Sequence, residues 1–87
     1  MIEKQLIIKN KFGLHARPAA VLVQAAARFK SKIKIIKDSQ EVDGKSIMGL
    51  MTLAASAGST ITLVADGEDE AQAVQALEQL IDTGFGE

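Results

Sequence analysis

The sequence contains one histidine, His15, and one proline, Pro18, and both lie in the run Gly13-Leu14-His15-Ala16-Arg17-Pro18-Ala19. Imidazole titrates near neutrality and is both a competent nucleophile and a fair leaving group. The run follows a glycine-containing break and leads into a helical pattern, which puts His15 in the N-cap neighbourhood. There the first backbone N–H groups lack intrahelical acceptors and the helix dipole favours an anion. Arg17 adds a permanent charge with a planar set of donors matched to phosphate oxygens. Pro18 has no N–H to leave unpaired, and its fixed φ suits a first helical turn. Such a set could accept a phosphoryl group and pass it on with little beyond positioning and charge. On spacing alone, the alternative is a capping or surface histidine followed by ordinary first-turn residues.

Other chemistries find less support. One histidine and no cysteine make a poor transition-metal site, and the acids gather at a helix start rather than beside His15. A hydrolytic triad would need a nucleophile and an orienting acid that no spacing supplies. A chain of 87 residues leaves little wall for a substrate cavity beside its core. The segment Gly44-Lys45-Ser46 resembles the close of a nucleotide-binding loop, but that loop needs a glycine five positions earlier, where Ser39 stands. Ser46 reads instead as an N-cap whose hydroxyl receives a backbone N–H. No metal and no cofactor are expected.

The elements that must hold these groups follow from periodicity. Leu6-Ile7-Ile8-Lys9 reads as a strand, broken by Asn10-Lys11-Phe12-Gly13. From Ala16 to Lys30 the pattern is helical, with Ala19, Leu22, Ala26 and Phe29 on one face. Lys32-Ile33-Lys34-Ile35 alternates as a half-buried strand, and Glu41-Val42-Asp43 returns it. A short helix starts near Ser46 with Ile47, Leu50, Met51 and Ala54 on one stripe, and ends by Ser56-Ala57-Gly58-Ser59. Of its apolar residues, Ile47, Leu50 and Met51 could fill the core at that spacing, which turns Met48 outward beside Ser46. Thr60-Ile61-Thr62-Leu63-Val64 is the last strand. A final helix from about Asp69 to Thr83 buries Val74, Leu77 and Ile81; acids at its start meet the helix dipole, and Gly84 stops it. The predicted order is β-α-β-β-α-β-α. That makes an α+β open-faced sandwich: one four-stranded antiparallel sheet covered on one face by three helices.

Residues 1–87 read as one small domain, near the size at which a single core suffices. The absence of cysteine fits a reducing compartment. Without a signal-peptide pattern or a membrane-length apolar run, a soluble cytoplasmic protein is the expectation. Charge is lopsided: residues 1–37 hold nine Lys or Arg and one acid, whereas residues 38–87 hold one Lys and ten acids. The halves could neutralise each other within the fold, or the basic half could steer towards acidic partner surfaces. Nucleic acid is a poor third, since no aromatic ladder is present.

The run GLHARPA resembles the active-site signature of the HPr family, the histidine-containing phosphocarriers of the bacterial phosphoenolpyruvate-dependent sugar phosphotransferase system. The likeness extends over the chain, through the second signature Lys45-Ser46-Ile47-Met48-Gly49 to the end Gly84-Phe85-Gly86. It implies that His15 is phosphorylated through Nδ1, with Arg17 as phosphate partner and Pro18 setting the first turn. The phosphate would come from phosphoenolpyruvate by way of Enzyme I and go to a sugar-specific Enzyme IIA, so the chain would be a carrier, not an enzyme. It further implies that Ser46 is the target of a regulatory kinase, HPr kinase/phosphorylase, with a catabolite-control transcription regulator as a further partner. Ile47, Met48, Met51 and Thr52 would then be partner contacts, with flexible methionines suited to several surfaces. The expected state is a monomer. Three rivals stand beside this reading: a nitrogen-branch paralogue with the same histidine chemistry, a silent regulatory paralogue, and a small ferredoxin-like ligand-binding domain. The silent paralogue would replace the histidine that is present here.

Overall fold

The computed structural model describes residues 1–86. Its elements are β1 (Ile2–Ile7), α1 (Ala16–Ala26), β2 (Lys32–Lys37), β3 (Gln40–Asp43), α2 (Ile47–Thr52), β4 (Thr60–Asp66) and α3 (Glu70–Asp82), closed by a 3-10 turn, Gly84–Gly86. The strands form one antiparallel sheet in the order β1-β4-β2-β3. Alternation along each strand sends Leu6, Ile33, Ile35, Ile61, Leu63 and Ala65 to one face. There they join Ala19, Leu22 and Ala26 of α1 and Ala73, Val74, Leu77 and Ile81 of α3 in one core. The other face carries Glu3, Gln5, Lys34, Glu41 and Asp43 in solvent. One face is dry and one is wet, as an open-faced α+β sandwich requires. No helix among the described residues is long and apolar enough to cross a membrane.

Three elements depart from their periodicity. The helical pattern runs to Lys30, yet α1 ends at Ala26. The cause lies far along the chain at Asp69, whose carboxylate accepts the Lys30 and Ser31 backbone N–H groups at 2.8 and 2.9 Å and the Ser31 hydroxyl at 2.5 Å. These bonds turn the chain away from the helix axis, and Arg28 and Phe29 fall back on i−3 carbonyls at 3.2 and 3.1 Å. The Ser31 hydroxyl first, then the Lys30 amide, holds the Asp69 carboxyl down at about 2. At the other end of the chain, β1 begins at Ile2 rather than Leu6, because β4 offers it a ladder from Ala65 down to Thr60.

The third departure is a correction to the stripe expected on α2. Only Leu50 of that helix is buried. Ile47 and Met51 are 42% and 46% exposed instead of filling the core, while Met48 points outward as expected at 78%. The helix stops after Thr52, so the core positions that Met51 and Ala54 would have taken are filled by Leu53 and Ala55. Ala54 is left exposed at φ 51°, in the left-handed region.

Candidate functional site

His15 is the N-cap residue of α1, with extended backbone at φ −79° and ψ −173°. Its carbonyl accepts the Ala19 N–H at 3.0 Å and so closes the first helical turn. Its imidazole makes no capping bond to the helix. Arg17 is the second helical residue and exposed, while Pro18 is the third and buried. Ala16 and Arg17 therefore supply N–H groups to a turn from which proline has removed one donor.

The approach to this N-cap is tightly built. Asn10 Nδ2 donates to the Gly13 carbonyl at 2.6 Å, and the Gly13 N–H donates to the Asn10 carbonyl at 3.2 Å. Gly13 adopts φ 69°, and a side chain there would overlap the Ala55 carbonyl oxygen and come within 2.8 Å of Ser56 Cα. Glycine is thus required twice, for its conformation and for the close approach. Leu14, 4% exposed, anchors the turn in the core, and its N–H donates to the Ala55 carbonyl at 2.9 Å. The loop in front of His15 is in this way stitched to the segment that follows α2.

His15, Arg17 and Pro18 line a cleft of about 840 Å³ together with Lys9, Lys11 and residues 82–86. Among the described residues, three cationic side chains border it against one carboxylate, Asp82, whose Oδ1 lies 3.7 Å from Lys9 Nζ. An anion is the ligand such a cleft favours. Phe12 stands at its rim with its ring at 88° to the His15 imidazole, the centroids 6.1 Å apart. Lys11 Nζ lies 5.5 Å from the Phe12 centroid. A smaller cleft of about 250 Å³ opens on the far side of Phe12 and His15, lined by Met51, Ala54 and Ser56 among others.

Ser46 caps α2 in the ordinary way, its Oγ accepting the Gly49 N–H at 3.1 Å. It is half-buried, with Ile47, Met48, Met51 and Thr52 exposed on the helix it starts. The Thr52 hydroxyl donates back to the Gly49 carbonyl at 2.7 Å. Of the residues singled out around α2, Met51 lines the smaller cleft together with His15.

A family model for the phosphorylation site of the HPr component of the phosphotransferase system (PTS) matches residues 2–83. The chain belongs to the PTS HPr family. Phosphocarrier protein HPr of Cupriavidus necator is 51% identical over 100% of this chain and 98% of its own. The HPr-like protein Crh of Halalkalibacterium halodurans is 58% identical over 88% of this chain and 92% of its own. The crystal structure of HPr from Thermoanaerobacter tengcongensis superposes with a TM-score of 0.96, at 52% identity over 100% of this chain and 98% of that one. HPr proteins are phosphocarriers of the phosphotransferase system and not catalytic enzymes, and the architecture described above is theirs. A dimer of the T. tengcongensis HPr has also been solved, so the family does not prescribe a monomer.

Within this chain, residue spacing marks His15, Arg17 and Pro18 but not the other walls of the cleft. Lys9 and Lys11 passed as strand end and loop, and Phe12 as part of a break. An aromatic between Lys11 and Gly13, three residues before the histidine, was the available signal. Its contact with His15 needs the Asn10–Gly13 turn, which alternation and helical periodicity do not describe.

Proposed function

We propose that this chain carries a phosphoryl group on His15, received from phospho-Enzyme I and delivered to a sugar-specific Enzyme IIA. The observation that carries the reading is His15 standing as N-cap of α1 in a cleft bordered by Lys9, Lys11 and Arg17. The lone pair of Nδ1 attacks phosphorus as the bond from phosphorus to the donor breaks, the electron pair staying on the donor. The second transfer is the same exchange in reverse, with the imidazole now the leaving group. Arg17 and the first-turn N–H groups offset charge on the phosphoryl oxygens, and Pro18 fixes the turn that presents them. Residues 1–87 act as one domain, as a cytoplasmic monomer, without cofactor.

Ser46 is the regulatory position in this reading, modified by HPr kinase/phosphorylase and read by a catabolite-control regulator. Support comes from its place beside the exposed Ile47, Met48, Met51 and Thr52, which serve as the partner contacts. Phosphorylation there adds nearly two negative charges to a docking surface, enough to weaken an acidic partner's hold. A Crh-like, purely regulatory role is the second reading, favoured by the 58% identity to the Crh relative. The presence of His15 argues for the carrier.

Incubation with phosphoenolpyruvate and Enzyme I tests the proposal. The expected product bears one acid-labile, alkali-stable phosphate, absent from His15→Ala. Uptake of normal label by that variant would overturn it.

A further inference from the structure

Phe12 is 71% exposed, yet its ring is not idle on the surface. It meets the His15 imidazole at 88° with centroids 6.1 Å apart, the edge-to-face geometry in which aromatic pairs attract. The two rings stand together between the larger cleft that holds Arg17 and the smaller one that holds Met51. Their backbones are set by the turn between them, closed by the Asn10–Gly13 bonds at 2.6 and 3.2 Å and by the left-handed Gly13.

What the backbone does not set is rotation of the imidazole about Cβ–Cγ, a torsion that is broad and roughly two-fold for this ring type. A phosphoryl acceptor reacts only when one nitrogen faces the incoming phosphorus, and a small misplacement costs rate. A perpendicular neighbour restricts that rotation. We propose that Phe12 is a positioning residue for phosphoryl transfer at His15: its ring limits the imidazole to the orientation presented at the start of α1. The inference rests on the reading of His15 as the phosphoryl acceptor.

Three variants test it in the full-length chain: Phe12→Leu keeps apolar bulk and loses the ring, Phe12→Tyr keeps the ring, and His15→Ala reports on the acceptor itself. Transfer from phospho-Enzyme I is followed for kcat and KM, and the His15 ring C–H resonances by proton NMR. Phe12→Leu is expected to shift those resonances through loss of the ring current. It should lower kcat by roughly two- to tenfold, the size of one aromatic-pair contact, with KM changed less. Phe12→Tyr should restore both readouts. Unshifted resonances overturn the proposal, as does a Phe12→Tyr variant that behaves like Phe12→Leu. A loss confined to KM also overturns it, making Phe12 a docking contact only. Label on His15→Ala would sink the acceptor reading beneath it. A dead His15→Ala beside an unimpaired Phe12→Leu would sink the positioning role alone.

Discussion

The starts of α1 and α2 solve the same structural problem in opposite ways. At α2, Ser46 spends its side chain on its own helix, Oγ accepting the Gly49 N–H at 3.1 Å. At α1, the His15 side chain makes no cap, and its backbone carbonyl accepts the Ala19 N–H at 3.0 Å. The turn there is instead secured from outside, by Pro18 and Leu14 in the core and by the Leu14 bond to Ala55 at 2.9 Å. A third start extends the contrast. Asp69 makes no capping bond to α3, because its carboxylate is engaged with Lys30 and Ser31. Where a side chain at a helix start is released from capping, something else must do the holding, and the released group gains another use.

Replacement at each start should separate these uses. The largest effect belongs to His15→Ala, which is expected to abolish Enzyme I-dependent labelling while the melting temperature stays near that of the parent; Ser46→Ala should keep the label. Gly13→Ala comes next, since it attacks the external support of α1. With a positive φ and a methyl group pressed into the Ala55 carbonyl, it should cost on the order of 2–4 kcal/mol in urea unfolding. A cost below about 0.5 kcal/mol would mean that the loop yields easily and does not hold His15.

Ser46→Ala removes a cap that works, and should lower stability by about 1 kcal/mol, with Ser46→Asp recovering most of it because aspartate also caps. At the third start the effect appears with pH. The Asp69 carboxyl is depressed to about 2 in the folded chain against 3.8 in the ordinary state, so its contribution is complete above pH 3.8 and is lost as pH falls towards 2. An acid-unfolding curve of Asp69→Asn should therefore be flatter than the parent's across that window; parallel curves would show the latch to be inert. The smallest effect expected is a gain. Ala54 sits at φ 51°, and Ala54→Gly should stabilise by about 0.5 kcal/mol, relief of the left-handed strain exceeding the added chain entropy.

How much could be read beforehand divides along the same line. The alternation of Ile33 and Ile35, and the spacing of Val74, Leu77 and Ile81, record a local choice between core and solvent, and those elements lie where the periodicity puts them. So does the start of α1, where a break, a histidine and a proline make a local signature. The end of α1 was not legible, because the residue that decides it, Asp69, lies 38 positions beyond Ser31. The exposure of Ile47 and Met51 was not legible either. Ile47, Leu50 and Met51 look like core at helical spacing, and only the competition from Leu53 and Ala55 leaves two of these three at the surface. Phe12 falls in the same class: its role depends on a turn closed by an asparagine side chain.

The strand order carries a further consequence. β4, the last strand to be made, lies between β1 and β2, so the N-terminal strand has no neighbour until residue 66 has been added. The cleft around His15 is walled in turn by residues 9–21 and 82–86. The pairing of β1 with β4 is therefore among the non-local contacts that bring these two segments together. Whatever fits that cleft touches two segments far apart in sequence at once, and in doing so responds only to a chain whose sheet and helices have already brought them together.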